Sequence, residues 1–151
     1  MSYNVSVVSY EYQRPKNSIR ETPETRKSRK TQKQNMSLKD LKIQYLEYLE
    51  IEKNRSVKTL ENYGRYLNRF FSFSKISSPS QIDDELVRQY RLYLNRLKDG
   101  EGNGLKKVTQ NYHIIALRNF LKYLAKRNIK SLPADRVELG KQEQREVTFL
   151  E

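Results

Sequence analysis

The segment KKVTQNYHIIALRNFLKYLAKR, residues 106–127, decides the fold of this 151-residue chain. Its apolar residues recur at intervals of three and four, which is the spacing of one face of an α-helix. The residues expected to face inward are Ala116, Leu117, Phe120, Tyr123 and Leu124. A helix with one apolar face has to cover that face with other elements of the fold. The segment therefore predicts a long amphipathic helix that contributes to a hydrophobic core.

Three earlier segments repeat the helical pattern. Ser37 and Asp40 resemble a capping box ahead of leucines and tyrosines at helical spacing, which predicts a helix at about 37–53. Ser56 is a candidate N-cap for a helix at about 57–75, and Asp83 is one for a helix at about 84–98. No segment between 37 and 130 has the two-residue period of a strand. The fold class predicted is all-α, a bundle of four to five helices.

The segments outside these helices have a different character. Between Gln13 and Gln34 the chain is almost wholly polar, so it cannot bury enough apolar area to offset the entropy lost on ordering. We interpret residues 1–36 as a disordered basic leader and residues 37–130 as the helical domain. A linker-like stretch follows Asn128, and residues 131–151 are assigned to it. The glycine-rich segment 99–104, DGEGNG, is predicted to be a flexible loop before the last helix.

Composition excludes several classes of protein. The chain has no cysteine, which excludes disulfide frameworks, cysteine-ligated zinc and thiol nucleophiles. Its longest apolar run is the four residues at 114–117, IIAL, whereas a transmembrane helix needs about 20. We therefore expect a soluble, cytoplasmic protein with no membrane partner.

Positive charge is concentrated in three parts of the chain. The whole chain has 30 Lys and Arg against 18 Asp and Glu, a net charge of +12. Residues 1–36 hold eight cations and three anions, residues 54–75 five and one, and residues 101–130 seven and one. The segments between them are nearly neutral. This pattern is expected when two elements of one domain face a polyanion.

One arc of the helix at 57–75 carries three cations and an amide. At about 100° per residue, this arc is roughly 60° wide and lies opposite the apolar face. Arg and Lys neutralise phosphates, and Asn can form bidentate hydrogen bonds with adenine edges. Tyr66 lies beside the arc, where its hydroxyl could reach a phosphate. The candidate nucleic-acid-binding residues of this helix are Lys58, Thr59, Asn62, Arg65, Tyr66 and Arg69.

The helix at 106–127 repeats the arrangement and contains no acidic residue. Its cations lie on the side away from the apolar residues that are expected to face inward. Thr109 and Gln110 add polar groups near its N-terminus, where free backbone N–H groups favour phosphate. The candidate binding residues of this helix are Lys106, Lys107, Thr109, Gln110, Asn111, Arg118 and Lys122.

No constellation of residues in the chain indicates catalysis. His113 is the only histidine and falls towards the apolar side of its helix. Without cysteine, a second histidine or a nearby pair of carboxylates, it cannot build a metal site or a nucleophilic relay. Phosphate-binding and dinucleotide-binding glycine motifs are absent from the sequence. We therefore expect no cofactor, no metal ion and no small-molecule ligand.

The order of these segments resembles the N-terminal core-binding (SAM-like) domain of the tyrosine recombinases, the phage-integrase and Xer-like group. The residues that carry the resemblance are YLEYL at 45–49, SVKTLENY at 56–63, TQN at 109–111 and ALRNFLKYL at 116–124. The resemblance covers about residues 37–130. It implies one half of a C-shaped clamp around a recombination site, with the second and fourth helices at the major groove of double-stranded DNA.

The resemblance also implies a catalytic domain that is missing here. Residues 147–151, VTFLE, resemble its opening, so residues 131–151 are interpreted as an interdomain linker and the truncated start of that domain. The chain is therefore expected to bind DNA without being an enzyme, and other recombinase protomers are possible partners on the DNA.

Two other functions remain open from the residues alone. The basic faces could meet an acidic protein, which would make the chain a helical protein-interaction module. An RNA-binding role lacks an aromatic RNP1-like strand or a G-x-x-G loop. Each basic face could also be an ordinary solvated helix surface, although two acid-poor faces in one small domain favour a polyanion.

Overall fold

The computed structural model describes residues 21–140. Its elements are α1 (Pro23–Gln34), α2 (Leu38–Ile51), α3 (Val57–Ser74), α4 (Asp84–Arg96) and α5 (Lys107–Lys126), with 3-10 turns at Pro79–Gln81 and Ala134–Arg136. Within residues 21–140 there is no strand, and Lys98 and Gly104 form an isolated antiparallel bridge. The prediction of an all-α fold with four to five helices is confirmed. The chain divides near residue 32 into two units, and α2 to α5 lie in the larger one.

Local capping explains where α2, α3 and α4 begin. Ser37, Ser56 and Asp83 each accept a hydrogen bond from the backbone N–H of the residue three positions later. Such bonds satisfy amides that the first turn of a helix leaves without a partner. All three residues were predicted to be N-caps, and all three predictions are confirmed. The N-cap position of α5, Lys106, has no such side-chain bond.

The core lies where α5 packs against α2, α3 and α4. Every α5 residue predicted to face inward is buried, and Leu117, Phe120 and Leu124 are 0% exposed. Tyr45 of α2 packs edge-on against Phe120 with ring centroids 5.5 Å apart. Burial of this kind is the main favourable contribution to folding. The long amphipathic helix thus supplies the central wall of the domain.

Residues 131–140 pack on the domain, although they were predicted to be a linker. Leu132, Ala134 and Val137 belong to the core, and Val137 is 1% exposed. Arg118 of α5 donates a hydrogen bond from Nε to the carbonyl of Ala134 at 3.3 Å. The predicted domain boundary at residue 130 is therefore corrected to residue 137 or beyond. The last part of the predicted linker, residues 141–151, lies outside the described residues.

The prediction of a disordered N-terminal leader is also wrong in part. Residues 23–34, predicted to belong to a disordered leader, form α1, while residues 1–20 lie outside the described residues. Pro23 occupies the first helical position, and Thr22 Oγ1 accepts a hydrogen bond from the N–H of Thr25 at 3.3 Å. The side chains of residues 23–31 are all exposed. Capping and the high helix propensity of Lys, Arg and Gln favour this helix. It can therefore form without apolar residues, on whose absence the prediction of disorder was based.

Asp99 orders the glycine-rich loop, which was predicted to be flexible. Its Oδ1 accepts hydrogen bonds from the N–H groups of Glu101 at 2.9 Å and Asn103 at 2.8 Å. These bonds hold the pKa of Asp99 below its usual range, because they favour the charged carboxylate. Gly102 takes the left-handed φ of 84° that the turn requires. The segment is a hydrogen-bonded turn, and α5 begins three residues after it, at Lys107.

Candidate nucleic-acid interface

The predicted face of α3 is open at its N-terminal end and half-covered further along. Lys58 and Arg65 are exposed, whereas Asn62 and Arg69 are half-buried. Arg65 donates a hydrogen bond from Nη2 to Oδ1 of Asn62 at 2.7 Å. Thr59 lies at the start of the helix, and its side chain hydrogen-bonds with the N-cap Ser56. Arg65 and Asn62 therefore form one polar unit at the middle of the face.

Arg69 is less accessible than its place on the helix suggested. Its Nη1 is buried and has no hydrogen-bond partner among the described residues. Its positive charge acts on Tyr90 of α4 and on His113 of α5, so it lies where three helices meet. The basic face of α3 thus runs from an exposed end at Lys58 to a half-buried end at Arg69.

Tyr66 connects the two predicted helices. Its ring lies 4.3 Å from the ring of His113 on α5, centroid to centroid, and the guanidinium carbon of Arg65 lies 5.9 Å from the same tyrosine ring. Pairs of aromatic rings at such separations attract one another beyond their shared burial. The basic face of α3 and the N-terminal half of α5 are therefore brought together through this contact.

His113 is a buried, neutral member of this junction. It is 4% exposed, and its Nδ1 lies 2.7 Å from the carbonyl oxygen of Thr109. Since a carbonyl can only accept, Nδ1 carries the proton and Nε2 is the acceptor nitrogen. Burial lowers the pKa of His113, and the charges of Arg69 and Arg65 lower it further. The prediction that this histidine is a buried residue of the helical domain is confirmed.

Several predicted binding residues of α5 already make contacts within the domain. Lys107 donates a hydrogen bond from Nζ to Oδ1 of Asn95 on α4 at 2.9 Å, and Gln110 donates one from Nε2 to the carbonyl of Leu105 at 2.8 Å. Lys107 stays exposed in spite of this bond, as do Lys106 and Lys122. Asn95 was not predicted, because nothing in the local sequence indicates a bond between residues 12 positions apart.

The segment at 134–140 borders the other edge of the α5 face. Arg118 is half-buried through its bond with Ala134, and Asn111, also half-buried, lies beside Gly140. Arg91 of α4 donates a hydrogen bond to the carbonyl of Glu138. Arg118 and Asn111 were predicted to face outward on helical spacing alone, and the packed segment reduces their exposure. The predicted binding residues that stay exposed are Lys58 and Arg65 of α3 and, at or near α5, Lys106, Lys107 and Lys122.

The cations of α3 and α5 have no acidic partners within the described residues. Among residues 21–140, no ion pair involves a cation of α3 or α5. The two ion pairs described between residues 33 and 140 lie elsewhere: Arg88 with Glu85 at 2.5 Å and Arg136 with Asp84 at 2.8 Å. Cations without acidic partners keep their full attraction for an external anion. The cations of α3 and α5 are therefore not neutralised by ion pairs within the described residues.

The described residues offer no alternative metal chemistry. Between residues 21 and 140, no group of three or more His, Asp and Glu side chains could hold a metal ion. In the same part of the chain, no helix has the length and apolar character to cross a membrane.

The fold and this surface define the class of protein: a small all-α domain built around two acid-poor helices in contact. The family model for the phage integrase N-terminal SAM-like domain matches residues 43–128, from α2 to just beyond α5. The chain therefore belongs to this family, and the resemblance to the SAM-like N-terminal domain of tyrosine recombinases is confirmed.

One curated relative supports the same family. Tyrosine recombinase XerC of Bacillus subtilis (strain 168) is 32% identical over 101 residues, which is 66% of this chain and 32% of the relative. The chain thus spans about a third of the length of the relative that it matches. No solved structure matches the chain.

Proposed function

We propose that this chain binds double-stranded DNA through α3 and α5, as the core-binding half-clamp of a site-specific tyrosine recombinase. The observation that carries the proposal is that the cations of these two helices have no acidic partners among residues 21–140, while the helices themselves touch at Tyr66 and His113. A duplex offers a negative charge every ~1.7 Å of its axis, so it needs a continuous field of cations. Because α3 and α5 adjoin, their cations would together supply such a field.

The exposed cations are assigned to phosphate. Four of them are free to neutralise phosphates and to release counterions: Lys58 and Arg65 of α3, Lys106 at the N-cap of α5, and Lys122 of α5. Phosphate contacts fix the position of a protein on the duplex without reading its sequence. These four side chains therefore supply affinity and its dependence on salt.

The partly engaged residues keep donors for DNA. Lys107 uses one of its three N–H groups on Asn95, and Arg118 uses Nε on Ala134, so each retains further donors. Asn62 and Asn111 offer amides of the type that pairs with adenine edges, and Thr59, Tyr66, Arg69, Thr109 and Gln110 complete the candidate set. We assign to these residues the sequence-directed part of the binding.

The same proposal places the chain in DNA integration and recombination in the cytoplasm, with other recombinase protomers beside it on the recombination site. No catalytic step is assigned to its residues, since His113 is buried and neutral and donates to a backbone carbonyl. Strand cleavage is assigned to the catalytic domain of the parent recombinase family.

Titration of duplex DNA at several salt concentrations tests the proposal. We expect log K to fall with log[salt] with a slope of several units, because each neutralised phosphate contributes about 0.9. Arg65→Glu with Lys122→Glu should weaken binding at least tenfold and leave the helix content by circular dichroism unchanged. The matched control is Lys39→Glu with Arg96→Glu, which makes the same charge change at exposed positions of α2 and α4.

Two results would contradict the proposal: a salt-independent affinity, or equal losses in the two double variants. If the chain instead bound an acidic protein saturably and did not bind duplex DNA, the surface would belong to a protein-interaction module.

A further inference from the structure

The open side of α5 carries apolar side chains as well as cations. Val108 and Tyr112 are each 46% exposed, and Ile115 is half-buried. Their spacing of four and three residues places them side by side along one edge of the helix. We call Val108, Tyr112 and Ile115 the apolar stripe of α5. Scattered exposed apolar residues are common, but three in register on one helix face form a surface.

The apolar stripe lies in the middle of the proposed DNA-binding surface. At about 100° per residue, Lys122 lies beside the stripe and Asn119 lies within its arc, one turn beyond Ile115. Asn119 donates a hydrogen bond from Nδ2 to the hydroxyl of Tyr63 on α3 at 3.4 Å, so the stripe borders α3 there. Lys107, Arg118 and Lys122 of α5 lie to one side of the stripe, α3 borders the other, and α5 contains no acid that would repel DNA.

We propose that the apolar stripe of α5 contacts the 5-methyl groups of thymine in the major groove and so favours sites with thymine at defined positions. The inference rests on the proposed function and adds the kind of base feature that this helix reads. Phosphates line both walls of the groove, where the cations of α5 on one side and those of α3 on the other would lie. The pyrimidine 5-methyl is the apolar group that base edges present at the groove floor, where the middle of a helix lies.

The expected size of the effect follows from apolar burial. Covering one methyl-sized group changes an equilibrium constant about fourfold. A stripe that covers one methyl group should therefore prefer methylated DNA about fourfold, and contacts with two such groups should give about a tenfold preference or more.

Two pairs of synthetic duplexes isolate the methyl group. Poly(dA-dT) differs from poly(dA-dU), and poly(dG-dm5C) from poly(dG-dC), only by the pyrimidine 5-methyl in the major groove. Affinities of the whole chain are measured by fluorescence anisotropy at one fixed salt concentration. The inference expects about fourfold tighter binding to the methylated member of each pair.

A double variant removes the stripe without introducing charge. Val108→Ala with Tyr112→Ala should abolish the preference, because it lowers the affinity for the methylated duplexes more than that for the unmethylated ones, and it should leave the salt slope unchanged. The control is Ile43→Ala, which truncates a side chain of similar exposure, 43%, on α2. It should retain the preference. Circular dichroism confirms that both variants keep their helix content.

The outcomes separate this inference from the proposed function. Equal affinity for the members of each pair, or a preference that survives in the double variant, overturns the inference but leaves salt-dependent DNA binding intact. A double variant that weakens binding to all four duplexes equally also overturns it. If none of the duplexes binds, both the inference and the proposed function fail.

Discussion

The ring of Tyr66 on α3 lies 4.3 Å from the ring of His113 on α5, with an interplanar angle of 46°. This contact joins the two acid-poor helices through aromatic surface, so their mutual packing does not require an ion pair. A salt bridge at this point would consume one of the cations that the proposed interface presents to DNA. The aromatic contact instead fixes the helices and leaves their cations unneutralised.

The ring of Tyr66, and not its hydroxyl, is expected to stabilise the domain. Tyr66→Leu should lower the free energy of unfolding by about 1 kcal/mol, the typical value of an aromatic pair beyond its buried area. Tyr66→Phe keeps the ring and should change it by less than about 0.5 kcal/mol. Urea denaturation followed by circular dichroism measures both. Equal losses in the two variants would contradict this interpretation.

The pair of Tyr66 variants also tests the predicted phosphate contact. If the Tyr66 hydroxyl binds a phosphate, Tyr66→Phe should weaken DNA binding about tenfold or more at unchanged stability, since a hydrogen bond to a charged group contributes about 1.5–3 kcal/mol. Anisotropy titrations of one duplex at constant salt make the comparison. Unchanged affinity of Tyr66→Phe would remove Tyr66 from the set of phosphate-binding residues.

Stability should fall in mildly acidic solution because of His113. Its pKa in the folded domain is below the unfolded value of 6.5, mainly because of burial. As the pH falls, the unfolded chain therefore takes up the proton first. The contribution of His113 to the free energy of unfolding is complete above pH 6.5 and is lost as the pH falls below that value. Between pH 6.5 and 5, the loss from one group is at most about 1.4 kcal/mol per pH unit.

The variant His113→Gln separates this effect from other titrations. It should be less stable than the natural chain at pH 7.5, but the difference should shrink as the pH falls from 6.5 to 5. Urea denaturation at several pH values measures the difference in the free energy of unfolding. A difference that stays constant over this range would show that His113 does not titrate differently in the folded and unfolded chains.

The helices were predictable because their signals are local. Ser37, Ser56 and Asp83 cap the helices whose starts they predicted, and Asn54 and Asn128 adopt left-handed φ angles of 51° and 58° just after α2 and α5. A cap or a break depends on three or four neighbouring residues. The boundaries of α2 to α5 therefore follow from the sequence to within about two residues.

The candidate site was predictable only as a set of residue types. Helical spacing placed Arg118 and Lys107 on an outer face, but Arg118 binds Ala134 and Lys107 binds Asn95. Both partners lie beyond the reach of helical periodicity, which describes one helix and not its neighbours. The half-burial of Arg69 among three helices has the same cause. Long-range packing decided which cations stay open.

Residues 131–140 are expected to be required for stability. Val137 is 1% exposed, so Val137→Ala should lower the free energy of unfolding by about 2 kcal/mol, whereas Val108→Ala at an exposed site should change it by less than about 0.5 kcal/mol. A chain that ends at residue 130 should melt at a clearly lower temperature than one that ends at residue 140. Equal melting temperatures would restore the interpretation of this segment as a linker.

The N-cap of α3 provides a test that keeps folding separate from DNA contacts. Ser56 accepts a hydrogen bond from the N–H of Thr59 and lies 3.0 Å from its hydroxyl, oxygen to oxygen, so Ser56→Ala leaves both groups without this partner. The free energy of unfolding should fall by about 1 kcal/mol. Ser72→Ala is the matched control, because Ser72 is exposed within the same helix and makes no cap; alanine there should be neutral or slightly stabilising. Thermal and urea denaturation compare the two variants. If Ser72→Ala lowers the free energy of unfolding as much as Ser56→Ala, the cap does not stabilise the start of α3. Core packing alone then holds this end of the helix, and the Thr59 hydroxyl is available to bind DNA.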